Sequence, residues 1–233
     1  MNQFLGFCFQ FKTMLDEFDN QDGLRQLYNV ISVLPVLEQM NDNYNLSSDE
    51  ENAQRQVVRH VCVALKKYFE SHIFYKYTLV TQNPSSKISL PMRSLKNSNE
   101  IINDQIMNLQ SIALKSNWQP VNVFLQLGGI KLLILVIAHS YEWNYSGRQE
   151  TVISALDVIN ICCSVQKVHA VLCERIDFPE GASAAGINII LGAAEGEIVA
   201  DPDVQKSALS LLVNCICAPV QKATNKACGS TPR

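Results

Sequence analysis

Apolar residues recur at helical spacing along nearly the whole chain, in stretches separated by short polar breaks. Residues 3–18 fit a helix that ends in the turn-like "DEFDNQDG". Leu24, Leu27, Val30, Ile31 and Leu34 mark a second helix, which Pro35 breaks or kinks. The polar "NDNYNLSSDEEN" reads as a loop. Within it Ser47 and Glu50 are spaced for a capping box, each satisfying an orphan backbone N–H of the other. The same acidic serine segment also suits phosphorylation. The helix it opens, over about 50–76, carries Val57, Val61, Ala64, Leu65 and Tyr68 on one stripe. "TQNPSSKISLPMRS" is the longest polar break. Ile101, Ile102, Ile106, Leu109, Ile112 and Ala113 predict a helix over 98–116, ended by Trp118-Gln119-Pro120. Residues 125–163 read as two helices joined by a polar turn. A short helix, "SVQKVHAVLCERID", and a loop, "FPEGASAAG", lead to a last pair, whose second helix takes Asp201-Pro202 as its N-cap and N1 residues.

Helix pairs therefore recur. Each begins with Gly before an aliphatic residue: Gly23-Leu24, Gly129-Ile130 and Gly186-Ile187. Each second helix holds Ala-Leu: Ala64-Leu65, Ala155-Leu156 and Ala208-Leu209. The Gly is expected to permit a tight bend, the Ala a close helix approach, and the Leu to fill the layer between units. A pair with two apolar faces cannot bury both alone, so successive pairs should stack. The expected fold is all-α, an armadillo-like α-solenoid of irregular stacked helix pairs. Its parts are first repeats over 1–83, a flexible connection over 84–97, armadillo-like repeats over 98–220 and a disordered tail over 221–233.

Composition changes this picture little. The 233 residues are 47% hydrophobic and 18% charged, with net charge −3. No basic excess points to nucleic acid, and no polybasic run to anionic lipid. The apolar run Ile130 to Ala138, interrupted by Lys131, is too short for a span of about 20 residues. "MNQFLGFCFQFK" lacks a basic n-region and a small-residue cleavage site, so no signal peptide is expected. Eight cysteines, several on apolar helical faces, fit a reducing compartment, nucleus or cytoplasm. No C-x-x-C pairs with another at zinc spacing, so no metal or other cofactor is expected. The sequon at Asn144 would matter only in a secreted chain.

Candidate chemistry is sparse. Val63-Ala64-Leu65-Lys66 resembles the kinase strand whose lysine holds ATP phosphates, and Asp177-Phe178-Pro179 resembles its metal-binding D-F-G. However, no glycine-rich loop precedes Lys66 and no H-R-D precedes Asp177. Lys66 falls in a helical pattern, on a face expected to be solvated. His60, His72, His139 and His169 stand alone in sequence. Glu195-Gly196-Glu197 reads as a solvated turn. The turn "SYEWNYSGR" is the best surface candidate: Trp143, Tyr145 and Arg148 are residue types that dominate interface hot spots. The competing reading makes Trp143 a lid folded over the solenoid edge.

"FLQLGGIKLLILVI" resembles the start of an armadillo repeat. Asn214, six residues after Ala208, matches the groove-facing Asn of that family. Asn160 is one residue out of this register, and Glu70 replaces it in the first pair. More specifically, "FKTMLDEFDNQDGLRQLYNVIS", "ALKKYFESH", "LGGIKLLILVIAHSYEWNYSGRQETVISALDV" and "LGAAEGEIVADPDVQKSAL" resemble the armadillo-like N-terminal region of the Vpr-binding protein family, substrate receptors of cullin-four RING ubiquitin ligases. The resemblance covers about residues 9–222. It implies a non-catalytic scaffold in ubiquitin-dependent proteasomal degradation, with ligase substrates or regulators as partners and no direct contact with membrane or nucleic acid. It also brings the alternative of a Ser/Thr kinase-like activity, attributed to this family region. Adaptor docking would belong to a β-propeller not found in these residues, so the chain is expected to be a fragment of a longer protein.

Overall fold

The computed structural model describes residues 8–38, 46–81, 118–178 and 183–216. Three times the chain runs from a short helix to a middle helix to a longer one. The first unit is α1 (Lys12–Asn20), α2 (Gly23–Ser32) and, after the single turn α3 (Pro35–Glu38), the long α4 (Ser48–Thr81). The second is α5 (Gln119–Gln126), α6 (Gly129–His139) and α7 (Arg148–Cys162). The third is α8 (Gln166–Cys173), α9 (Gly186–Glu195) and α10 (Pro202–Ile216). A small antiparallel hairpin, β1 (Arg175–Asp177) with β2 (Ser183–Ala185), joins α8 to α9 where the sequence reads as loop. The repeating element is thus a triplet rather than the expected pair. Two of the leading helices are legible in sequence, within residues 3–18 and in "SVQKVHAVLCERID", while α5 goes unseen because its eight residues carry little periodicity of their own.

The recurring glycines also act differently from expectation. The left-handed residue at each of the first two bends stands one position earlier: Asp22 (φ 54°) and Gly128 (φ 78°). Gly23 and Gly129 are already helical, and each lies flat against the ring of a phenylalanine five residues back. A Cβ on Gly23 would come within 2.4 Å of Phe18, and one on Gly129 within 2.2 Å of Phe124. The first two units thus share an aromatic ring of the first helix wedged onto the start of the second, whereas Gly186 of the third meets Ile134 and the Leu172 backbone instead.

The end signals hold. Ser47 N donates to Glu50 Oε2 (2.9 Å) and Glu50 N to Ser47 Oγ (3.3 Å), which closes the capping box. The bonds from Ser47 hold the Glu50 carboxyl below the usual range. Asp201 Oδ1 accepts from the N–H groups of Asp203 and Val204 at 2.9 and 3.1 Å, ahead of Pro202 at the first position of α10. Trp118-Gln119-Pro120, expected to end a helix over 98–116, is seen only as the start of α5, with Pro in its first turn. The expected connection at 84–97, the helix at 98–116 and the tail at 221–233 lie outside the described residues.

The long helices α4, α7 and α10 pack side by side as one layer, with α6 and α9 behind them and the short helices between units. One continuous core runs through all three units. Val58, Val61, Ala64, Leu65, Tyr68 and Phe69 form the buried stripe of α4, while Val57 lies outside it. Ala64, Ala155 and Ala208 are fully buried, as close helix approach requires. Ala155→Leu should overpack the layer and lower stability by about 1–3 kcal/mol, measured by chemical denaturation. No loss would place the α7 contact elsewhere. Among the described residues, no single helix is long and apolar enough to cross a membrane.

Candidate interaction surface

The polar groups of the long-helix layer are joined in rungs. Between α4 and α7, Arg59 meets Glu150 (2.5 Å), and Lys66 Nζ lies 2.6 Å from Asp157 and 3.9 Å from Glu70. Between α7 and α10, Gln149 donates to Asp201 (3.0 Å) and Asn214 Nδ2 to Asn160 Oδ1 (2.6 Å). Both asparagines are buried. Asn214 therefore does not face a groove, and Asn160, out of register by counting, is its direct partner. An amide with one hydrogen-bonding group held by the other amide inside a packed layer fixes helix register rather than reading a bound peptide.

Lys66 is also misplaced by its pattern. Its side chain is only 17% exposed, as is nearly so for Asp157 (16%). Burial pushes the ammonium pKa down, but Asp157 and Glu70 outweigh this and hold it above the ordinary value. Lys66 sits mid-helix, bound to a neighbouring helix, and Asp177 lies exposed on the hairpin of another unit. Lys66 does not stand on the strand that a kinase phosphate site needs.

The aromatic turn is a clasp, not an open surface. Trp143 is 1% exposed. Its ring stacks on His139 (centroids 6.2 Å apart), meets Tyr145 edge-on (6.1 Å) and carries the Arg55 guanidinium on its face at 5.9 Å. Tyr145 is half-buried, bonded through its hydroxyl to Thr151, and burial pushes its pKa up to about 12. Arg148 donates to the carbonyls of Trp143 (3.1 Å) and Ile198 (2.9 Å), so its fork ties this turn to the loop before α10. Gln56 of α4 donates to Ser146 O at 2.8 Å. Trp143, Tyr145 and Arg148 are brought together as expected, but facing inward. The aromatic that faces solvent is Tyr141, 65% exposed. A polar turn around one Trp reads the same whether the ring turns in or out, so only packing decides.

Gly147 closes the clasp with φ 102°, and a Cβ there would lie 2.5 Å from Arg59 Cδ. Gly147→Ala should lower stability by about 1–2 kcal/mol from backbone strain alone. A melt unchanged from wild type would show that the turn can relax.

Two further clusters join residues far apart in sequence. Asp19 accepts from the Tyr68 hydroxyl (2.6 Å) and lies 3.1 Å from His72 Nε2. Burial pushes the Asp19 pKa up, but these two partners together hold it below the ordinary value. They line a cleft of about 320 Å³ with Leu24, Gln119 and Pro120, at the seam between the first two units. The second cluster is Cys163, His169 and Cys215, whose donor atoms lie within 4.8 Å of one another. The expectation of no metal-ligand group rested on local cysteine spacing. Here the residues come from the end of α7, from α8 and from the last turn of α10. Cys163 bonds to Cys215, which holds the Cys215 thiol below its ordinary range and pushes that of Cys163 up.

Among the exposed apolar side chains of the described residues, three share the outer face of α10. Leu209, Val213 and Ile216, at i, i+4 and i+7, are 52, 53 and 80% exposed. Leu65 and Leu156, which stand at the same place in the Ala-Leu repeat, are buried in units followed by another unit. The third unit thus presents a stacking face among the described residues.

Stacked helical triplets with a shared core define an armadillo-like α-solenoid. Residues 58–233 match the model of the DCAF1 helical domain, and the chain belongs to that family. It is 47% identical to Protein mahjong of Drosophila melanogaster over 232 residues, covering 93% of this chain and 15% of that protein. It is 24% identical to the DDB1- and CUL4-associated factor homolog 1 of Arabidopsis thaliana, covering 93% of this chain and 12% of that protein. The Caenorhabditis elegans protein of the same name is 22% identical, with 88 and 13% covered. The chain thus spans 15% or less of the length of each of these relatives.

Proposed function

We propose that this chain is the partner-holding part of a ubiquitin-ligase substrate receptor. It acts without catalysis of its own, in the nucleus and cytoplasm, to bring ligase substrates or regulators to ubiquitin transfer. The observation that carries the reading is the α10 face: Leu209, Val213 and Ile216 offer an apolar stripe of the kind helices bury, at one edge of the long-helix layer among the described residues. Family membership supplies the ligase, since relatives carry the name of DDB1- and CUL4-associated factors. In this reading, adaptor docking belongs to parts of those longer proteins that this chain does not match. The ion pair of Lys66 with Asp157 supports a scaffold over the kinase alternative.

A chimera tests this. The matching segment of the fly relative is replaced by this chain, with and without Leu209→Glu and Val213→Glu. Both versions should co-purify DDB1 and CUL4, while the double variant should lose ubiquitinated proteins that depend on the chimera. Stoichiometric binding of DDB1 by the isolated chain, or an unchanged set of ubiquitinated proteins in the double variant, would overturn the reading.

A further inference from the structure

We infer that Cys163, His169 and Cys215 form a zinc site that pins the third unit to the second. The ligands come from three elements: Cys163 caps the end of α7, His169 lies in α8, and Cys215 lies in the last turn of α10. The two sulfurs are 3.6 Å apart. On a tetrahedral zinc with Zn–S bonds of about 2.3 Å, two thiolates stand roughly 3.8 Å apart. The sulfurs are therefore placed along one edge of such a tetrahedron before any ion enters. A bonded disulfide would need them at about 2.05 Å.

The hydrogen bonding of His169 is compatible with a ligand role. Its Nε2 lies 2.9 Å from the carbonyl oxygen of Cys163. A carbonyl only accepts, so Nε2 carries the hydrogen and Nδ1 keeps a lone pair. A ring nitrogen bonded to a backbone carbonyl fixes the tautomer and ring plane of a metal-bound histidine. The donor atoms span up to 4.8 Å, so the imidazole must close in by about an ångström to bind.

Charge and exposure agree with zinc. Two thiols lose their protons to solvent as the ion binds, and the imidazole stays neutral, so the occupied centre carries no net charge. That suits a place where Cys163 is buried and His169 and Cys215 are partly exposed. The open side leaves the fourth position to water. Two sulfurs and one imidazole nitrogen favour zinc over magnesium or calcium, which take oxygen. The site adjoins the Asn160–Asn214 rung between α7 and α10, three residues on from Asn160 and one on from Asn214.

The test uses the full chain, purified anaerobically with its thiols kept reduced by a non-chelating reductant and without chelator. Zinc content is measured by mass spectrometry, and cobalt(II) is titrated into metal-stripped protein. Wild type should bind one zinc per chain and show thiolate-to-cobalt charge-transfer absorption, and zinc should raise its melting temperature. Cys215→Ser and His169→Gln should each weaken zinc by more than about 100-fold, with helix content retained. Cys173→Ser, an exposed thiol outside the cluster, should bind as wild type does. Absence of zinc-dependent signals in wild type overturns the inference. So does equal binding by the His169→Gln variant, or recovery of a Cys163–Cys215 disulfide as the resident species.

Discussion

Trp143→Ala should lower stability by about 3–5 kcal/mol, the range for emptying a large aromatic site in a packed core. The ring is 1% exposed, and its removal opens a cavity between the α6 end, the turn and α4. His139, 7% exposed, loses its stacking surface, and Arg55 loses the ring face it covers. The backbone bond from Arg148 to the Trp143 carbonyl survives the change, so the loss reports the ring and not the turn. Tyr141→Ala, in the same turn but exposed, should stay within about 0.5 kcal/mol. Urea unfolding of both variants checks the pair. Equal small effects would restore Trp143 to the surface and reopen the turn as a contact site.

Lys66→Ala should cost about 3 kcal/mol, because it strands the Asp157 carboxylate in the α4–α7 seam. The pair is slightly solvated, which keeps the cost at the low end of the buried range. Replacing both partners, Lys66→Met with Asp157→Leu, should recover most of the loss, since apolar groups of similar volume need no counter-charge. The coupling measured by this cycle should exceed about 1 kcal/mol. Additive losses would mean that the two residues act separately. The sign with pH follows from the raised lysine pKa. The contribution is complete below the ordinary value of 10.5 and is lost only as pH climbs through the higher folded value. In a test of ATP turnover, a Lys66→Ala protein would therefore confound lost chemistry with lost stability. Lys66→Arg, which keeps the charge, is the better comparison.

The sequence by itself determined most of the helices and the fact that they stack, though not the triplet unit or the small hairpin. Period 3.6, the Ser47–Glu50 and Asp201–Pro202 starts, and buried alanines at Ala64, Ala155 and Ala208 are local or periodic facts, and each survives folding. Tertiary structure decided every question of direction and partnership. A helical pattern says which residues share a face, but not what lies opposite. The pattern therefore puts Lys66 on a solvated face, whereas Asp157 of another helix covers it. Asn160 and Asn214 meet although counting from the repeat puts them out of step, because neighbouring helices slide to satisfy buried amides. Trp143 turned inward because its large apolar area is worth more buried than the turn's polarity is worth exposed. Cys163, His169 and Cys215 have no spacing that announces them. Their convergence exists only once α7, α8 and α10 are packed, since sequence distance carries no record of contacts made across units.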